Sequence, residues 1–136
     1  MFIDSEWGKN AAKEMIAQGA DIIFAAGGAT GQGALRGAAE NGVYAIGAEK
    51  DQIQILTEAS SVIVTCVYGR SSYQVRQVMR SLREGQKVNG AISGSIDLAP
   101  YNPIIRIPDD LREQMDKLLV DLATGKIVTN VPTSAP

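Results

Sequence analysis

Histidine is absent from the 136 residues, and cysteine occurs only once. Without histidine, Ser-His-Asp and Cys-His catalytic arrangements and histidine-based zinc sites are excluded. The single cysteine, Cys66, has no partner for an internal disulfide. It lies within the apolar run at residues 62–67, where we expect a buried strand. With no nucleophile and no metal-ligand set apparent, we expect no catalysis, no metal and no cofactor.

Long apolar runs and a charge excess are also missing. No run approaches the roughly 18–20 residues that span a bilayer, and no basic-then-apolar segment opens the chain, so we expect this chain to carry neither a signal nor an anchor. Thirteen basic and 15 acidic residues give a net charge of −2, which argues against a nucleic-acid partner. The remaining composition, 45% hydrophobic and 21% charged, is typical of a folded soluble domain.

Two stretches of the chain have the same pattern. Residues 10–18 and 34–41 predict helices, each stopped by a glycine (Gly19 and Gly42) and followed by a short apolar strand. A third apolar run covers residues 62–67. Helices that alternate with strands apolar on both faces predict the α/β class, with a parallel sheet flanked by helices.

The second half of the chain predicts two helices and one weaker strand. Residues 72–84 carry an apolar stripe at helical spacing. Three arginines lie on another face of this helix, which we interpret as a solvated face. A last helix starts near residue 109. The strand lies either at residues 91–95 or at 104–107. We expect one α/β lobe over residues 1–132 and a tail at 133–136. A three-stranded sheet leaves open edges, so we expect the isolated chain to form homo-oligomers or to belong to something larger.

A glycine-rich loop at residues 27–33 follows the first strand and precedes a helix. In open α/β sheets ligands bind at the carboxyl ends of strands, and glycines there let backbone N–H groups approach a ligand. The candidate ligand-binding residues in this loop are Gly27, Gly28, Thr30 and Gly31. The pattern is neither a dinucleotide fingerprint nor a P-loop. A tight strand-to-helix turn is the alternative reason for the glycines.

Acidic residues follow the second strand, so Glu49 and Asp51 are expected at the same edge of the sheet. Carboxylates there accept two hydrogen bonds from vicinal hydroxyls, such as those of a ribose. The alternative is a solvated loop with a helix cap.

Several stretches together resemble the basic membrane protein family, the substrate-binding lipoproteins of ABC transporters that include purine-nucleoside receptors. The most specific is residues 18–28, Gln-Gly-Ala-Asp-Ile-Ile-Phe-Ala-Ala-Gly-Gly, with the glycines that follow it. Three other stretches match less specifically: residues 39–47 around Gly42, the Phe2-Ile3-Asp4 start with Lys9, and the ending at residues 124–132.

The resemblance implies the C-terminal lobe of a type I periplasmic-binding-protein fold, in which two lobes close on a nucleoside and a permease then takes it. The missing partners would be the N-terminal lobe and an ABC permease. The intact family protein is expected to be extracytoplasmic and membrane-anchored.

Two positions depart from the family pattern. The family usually has Asp at the position of Glu49, where it contacts the ribose, and a longer side chain shifts that bond. The family also tends to have Ser-x-x-Lys after the third strand, where this chain has Cys66-Val67-Tyr68-Gly69-Arg70. Arg70 is therefore the candidate replacement for a ribose-binding lysine.

Three functions remain to be weighed. The first is a solute-binding lobe for a purine nucleoside or similar ligand. The second is a regulatory or interaction module built on the same lobe. The third is a Rossmann-like enzyme domain, which the absence of histidine and of the dinucleotide pattern disfavours.

Overall fold

The computed structural model describes residues 2–90, 94 and 96–129. The five helices of this described part are α1 (Ser5–Ala17), α2 (Gly28–Glu40), α3 (Gln52–Ile55), α4 (Ser71–Arg83) and α5 (Asp109–Ala123). Its four strands are β1 (Ile22–Phe24), β2 (Tyr44–Ala48), β3 (Ile63–Gly69) and β4 (Ile96–Leu98). The predicted α/β class is confirmed.

The four strands form one sheet in the order β1-β2-β3-β4. β1 pairs with β2, and β2 with β3, both in parallel. After β4, the amide of Ala99 donates to the carbonyl of Cys66, and that of Asn102 donates to the carbonyl of Val64. Because residue numbers rise on one side and fall on the other, this segment runs antiparallel to β3. The sheet is therefore mixed, and the parallel arrangement predicted from the sequence holds for β1–β3.

The chain divides into two compact units. The first unit comprises Met1–Tyr68 and Leu98–Arg106, and the second comprises Gly69–Asp97 and Ile107–Pro136. The chain thus passes from one unit to the other three times. The tail predicted at residues 133–136 lies outside the described residues.

Glycines bring α1 and α2 of the first unit into close contact. A Cβ atom on Gly8 would overlap the carbonyl oxygen of Thr30, and one on Gly33 would overlap that of Ser5. This close packing leaves small residues in the core, such as Ala12 and Ala38. The buried core of this unit also includes Ile23, Leu35, Ala45, Leu56, Ala59, Ile63 and Cys66.

One face of β1 and β2 is open. Ile22 lies opposite Tyr44 in the parallel register, and both side chains are exposed, as is Phe24. Ile23 and Ala45, which point to the other face, are buried. The prediction of strands buried on both faces is therefore wrong for β1 and for the start of β2.

In the second unit, neither α4 nor α5 has a buried residue. The apolar stripe predicted on α4 is present, but Val75, Met79 and Leu82 are each more than half exposed. Residues 104–107, one of the two ranges predicted for a further strand, form no strand, and the strand that is present, β4, ends at Leu98. The other range, residues 91–95, lies outside the described residues apart from residue 94.

Within the described ranges, no helix combines the length and hydrophobicity needed to cross a bilayer. Over the same residues, the acidic and cysteine side chains form no group of three or more that could bind a metal.

Candidate functional site

The turn between β1 and α2 depends on two glycines. Gly27 has a φ of 114° and precedes the helix, and Gly28, its first residue, has a φ of 58°. Side chains other than hydrogen are disfavoured at such angles. This backbone directs the amide of Gly28 towards the end of β2.

Glu49, directly after β2, also adopts a left-handed conformation, with a φ of 72°. It is the only non-glycine residue of the described part with a positive φ. Its amide donates to the carbonyl of Val67 over 2.8 Å, which ties the end of β2 to β3. A left-handed backbone costs a residue with a side chain about 1–2 kcal/mol, and such strain is concentrated at functional sites.

One hydrogen bond joins the glycine turn, Gly27 and Gly28, to the acidic loop, residues 49–51. The amide of Gly28 donates to Oε1 of Glu49 over 3.1 Å, in an exposed position. The structure therefore brings together two residues that the sequence placed at one edge of the sheet. The carboxylate also lies at the positive end of the α2 dipole, which favours a negative charge there.

Thr30 and Gly31 lie deeper than the sequence analysis expected of ligand contacts. Both are buried, and the Thr30 hydroxyl accepts a hydrogen bond from the amide of Asp4 over 3.1 Å. The Thr30 amide donates to the carbonyl of Phe2 over 3.4 Å. A Cβ atom on Gly31 would lie 3.0 Å from the carbonyl carbon of Ala26. In this structure the two residues support the turn, and direct ligand contact by either stays a prediction.

Asp51 caps the short helix α3. Its Oδ1 accepts from the amide of Ile53 over 3.2 Å, and its Oδ2 accepts from Nε2 of Gln54 over 2.9 Å. Both carboxylate oxygens thus have a donor within the chain. This geometry matches the helix cap that the sequence left open as an alternative.

Gln52 is a residue that the sequence analysis missed. It is 5% exposed, its Nε2 donates to the carbonyl of Ala48 over 3.2 Å, and its amide donates to Sγ of Cys66 over 3.2 Å. Its Oε1 is buried and has no hydrogen-bond partner among the described residues. Burial raises the pKa of the Cys66 thiol, which keeps the sulfur protonated and neutral. The signal available in the sequence was the position of Gln52, directly after a capping aspartate at the end of β2.

Arg70 belongs to the second unit, where its guanidinium already has partners. Nε lies 3.4 Å from Oδ2 of Asp97, and the guanidinium carbon lies 5.9 Å from the centre of the Tyr73 ring. The side chain is half exposed, so the ion pair is weakly stabilising. A ligand contact by Arg70 stays a prediction.

A comparison with protein families gives a match over residues 1–128 to Bmp, described as "ABC transporter substrate-binding protein PnrA-like". The chain belongs to the Bmp family. This confirms the resemblance drawn from the Gly-Ala-Asp-Ile-Ile-Phe stretch and its glycine loop. The family is one of ABC transporter substrate-binding proteins.

Two solved structures are similar to this Bmp chain. One is described as a transcriptional activator of the comK gene from Bacillus halodurans, with a TM-score of 0.75 and 18% identity. The other is described as a solute-binding protein of an ABC transporter system from Conexibacter woesei, with a TM-score of 0.67 and 22% identity. At these identities the likeness shows the fold, which is that of a periplasmic-binding protein.

The Bmp chain spans less than half of each of these structures. The match covers 95% of this chain in both cases, but 46% of the first structure and 43% of the second. No curated protein matches the chain closely enough to be counted.

Proposed function

We propose that this Bmp chain forms one ligand-binding lobe of the solute receptor of an ABC importer. The ligand is a nucleoside or a similar small polar molecule, held between this lobe and a second one. The observation that carries the proposal is the meeting of the Gly28 amide and the Glu49 carboxylate at the carboxyl ends of neighbouring parallel strands. Ligands of open α/β sheets bind at this position.

The acidic loop is suited to a sugar. The exposed carboxylate of Glu49 accepts hydrogen bonds from vicinal hydroxyls, and charge-assisted hydrogen bonds of this kind are the stronger ones. In the proposal Gly27, Gly28 and Glu49 contact the ligand, while Thr30, Gly31 and Asp51 hold the turn and the loop. Arg70, which is paired with Asp97 within the second unit, is kept as a candidate on the family resemblance alone.

The partners follow from the family and from the length of the chain. Because the match covers 46% and 43% of the similar structures, we propose that a second lobe completes the clamshell and that an ABC permease receives the ligand. The intact protein would be extracytoplasmic and anchored by a lipid. The proposal includes no catalysis and no nucleic-acid partner.

Titration calorimetry with a panel of purine nucleosides tests this function. The two-lobed parent protein is expected to bind at least one nucleoside at micromolar concentration. The present chain is expected to bind it far more weakly, because affinity falls exponentially with the contact energy that the second lobe supplies. A two-lobed protein that binds no nucleoside at micromolar concentration would contradict the transport proposal.

A regulatory or interaction module is the second candidate. The observation that favours it is the similarity in fold to a protein described as a transcriptional activator. Under this alternative, the parent protein binds another macromolecule with or without a small ligand, and deleting its gene leaves nucleoside uptake unchanged. Measured uptake of a labelled nucleoside therefore separates the two candidates.

A further inference from the structure

We infer that Asn89 is a modification site: in the folded chain its side-chain amide is converted by water, without an enzyme, to the carboxylate of aspartate or isoaspartate. Asparagine followed by glycine occurs twice in the chain, at residues 41–42 and 89–90. The fold protects Asn41 from the same reaction. Neither asparagine belongs to the candidate ligand site, so the inference goes beyond the proposed function and does not depend on it.

The reaction begins with attack by a backbone nitrogen on the asparagine side chain. Asparagine side chains readily approach the backbone groups of the residues that follow them. A bond forms between Cγ and the nitrogen of the next residue, the bond between Cγ and Nδ2 breaks, and ammonia leaves with the proton of the attacking nitrogen. Water then opens the cyclic imide at one of its two carbonyl carbons, which gives aspartate or isoaspartate. Glycine in the next position places no side chain beside the attacking nitrogen.

Asn41 is the C-cap of α2, and both groups that have to react there are already hydrogen-bonded. Its Nδ2 donates to the carbonyl of Gly37 over 2.8 Å, and the amide of Gly42 donates to the carbonyl of Ala39 over 3.2 Å. Attack requires the Gly42 nitrogen to give up its proton and the Asn41 side chain to turn towards it. The end of α2 therefore has to open before the reaction begins.

Asn89 lies between α4 and β4, outside any helix or strand. Asn89 and Gly90 are both exposed, and neither forms a hydrogen bond with another described residue. The Gly90 nitrogen can therefore approach Cγ of Asn89 without breaking a hydrogen bond within the described part of the chain.

Solvent access does not distinguish the two sites. Asn41 is exposed like Asn89, and a Cβ atom on Gly42 or on Gly90 would have no neighbour within 4 Å beyond the adjacent residues. The difference lies in the hydrogen bonds that have to open, since each intact bond lowers the population of the reactive conformation. We therefore expect Asn89 to react about tenfold or more faster than Asn41 in the folded chain.

The experiment incubates the whole chain at pH 8 and 37 °C, in buffer and in urea, and takes timed samples. Trypsin separates the two sites, because Asn41 lies in the peptide 37–50 and Asn89 in the peptide 88–106. Mass spectrometry identifies the replacement of an amide by a carboxyl group, and chromatography separates the aspartate and isoaspartate forms. In buffer Asn89 is expected to react first. In urea the two rates are expected to be similar, because glycine follows both asparagines.

Asn89→Gln is the control, since glutamine forms the corresponding larger ring more slowly. Conversion of Asn89 adds one negative charge, which changes the net charge from −2 to −3. Isoelectric focusing should therefore show a growing acidic band in the unmodified chain but not in Asn89→Gln.

Several results would overturn the inference. One is an equal rate at Asn89 and Asn41 in buffer, and another is an Asn89 that stays unchanged in buffer while the urea sample reacts. A rate difference of the same size in urea would also overturn it, because the fold would then not be the cause. An acidic band that grows as fast in Asn89→Gln would overturn the assignment to residue 89. None of these results bears on nucleoside binding, which the calorimetry tests separately.

Discussion

The amide of Gly28 and Oε1 of Glu49 are joined by a 3.1 Å hydrogen bond between residues 21 positions apart in the chain. The bond connects the first turn of α2 with the end of β2. Each residue has a positive φ, so the contact is made between two backbone conformations that most residues avoid. Substitutions that favour or oppose a positive φ can therefore test both conformations.

The backbone strain at Glu49 predicts a difference between two substitutions. Glu49→Gly and Glu49→Ala both remove the carboxylate, but alanine resists the φ of 72° and glycine does not. We expect the free energy of unfolding of the glycine variant to exceed that of the alanine variant by about 1 kcal/mol. Urea denaturation of both variants measures the difference. Equal stability would show that residue 49 does not hold this conformation in solution.

The contact between α1 and α2 predicts that Gly33 tolerates no side chain. In Gly33→Ala the new methyl group would overlap the carbonyl oxygen of Ser5 and push the helices apart. We expect a loss of about 2 kcal/mol or more in the free energy of unfolding, measured by urea denaturation. Gly69→Ala is the control, because the nearest atom to its Cβ would be Oγ of Ser71 at 3.6 Å. A loss in the control as large as that of Gly33→Ala would contradict the packing argument.

The burial of Cys66 predicts an unreactive thiol. The side chain is fully buried, and burial raises the pKa of the thiol, so little reactive thiolate is present near neutral pH. We expect alkylation by iodoacetamide at pH 8 to be at least a hundredfold slower in the folded chain than in urea. Mass spectrometry of timed samples gives both rates. Rapid alkylation of the folded chain would mean that β3 is accessible.

The open face of β1 and β2 predicts self-association of the isolated chain. Ile22, Phe24 and Tyr44 expose apolar surface beside a strand edge, and such surfaces associate. We expect light scattering at several hundred micromolar to give a mass above that of the monomer, and Phe24→Lys to lower it.

The control for this experiment is Val120→Lys on α5. Val120 is 60% exposed, close to the 62% of Phe24, but it lies on the other unit. A monomeric mass for the unmodified chain would contradict self-association. An equal effect of both lysine substitutions would show that the association does not depend on the open face of β1 and β2.

The sequence predicted the elements that local pattern determines. Helices α1 and α2 end at glycines and are followed by short apolar strands, so their order and the position of β3 were correct. Of the two ranges predicted for a further strand, residues 104–107 form none and residues 91–95 lie mostly outside the described part; a strand of three residues such as β4 has no periodicity of its own. The apolar stripe of α4 was also predicted, and its side chains are exposed; a hydrophobic pattern shows which face of a helix is apolar but not what covers it.

The candidate site was also predictable in part from the sequence. Gly28 and Glu49 were placed together because the carboxyl ends of parallel strands share one edge of the sheet. The burial of Thr30 depends on contacts with Phe2 and Asp4, and the ion pair of Arg70 depends on Asp97. These partners lie 26 to 28 positions away, and no local pattern specifies them.

The three passages between the units determine how the protein can be dissected. Neither unit is a continuous stretch of sequence, so a truncation after residue 68 would remove residues 98–106 from the first unit. Those residues include Asn102, whose Nδ2 donates to the carbonyls of Ser60 and Ile63 at 2.7 and 2.8 Å. A fragment meant to isolate the first unit therefore needs a designed linker from residue 68 to residue 98, and a simple deletion would leave those carbonyls without their donor.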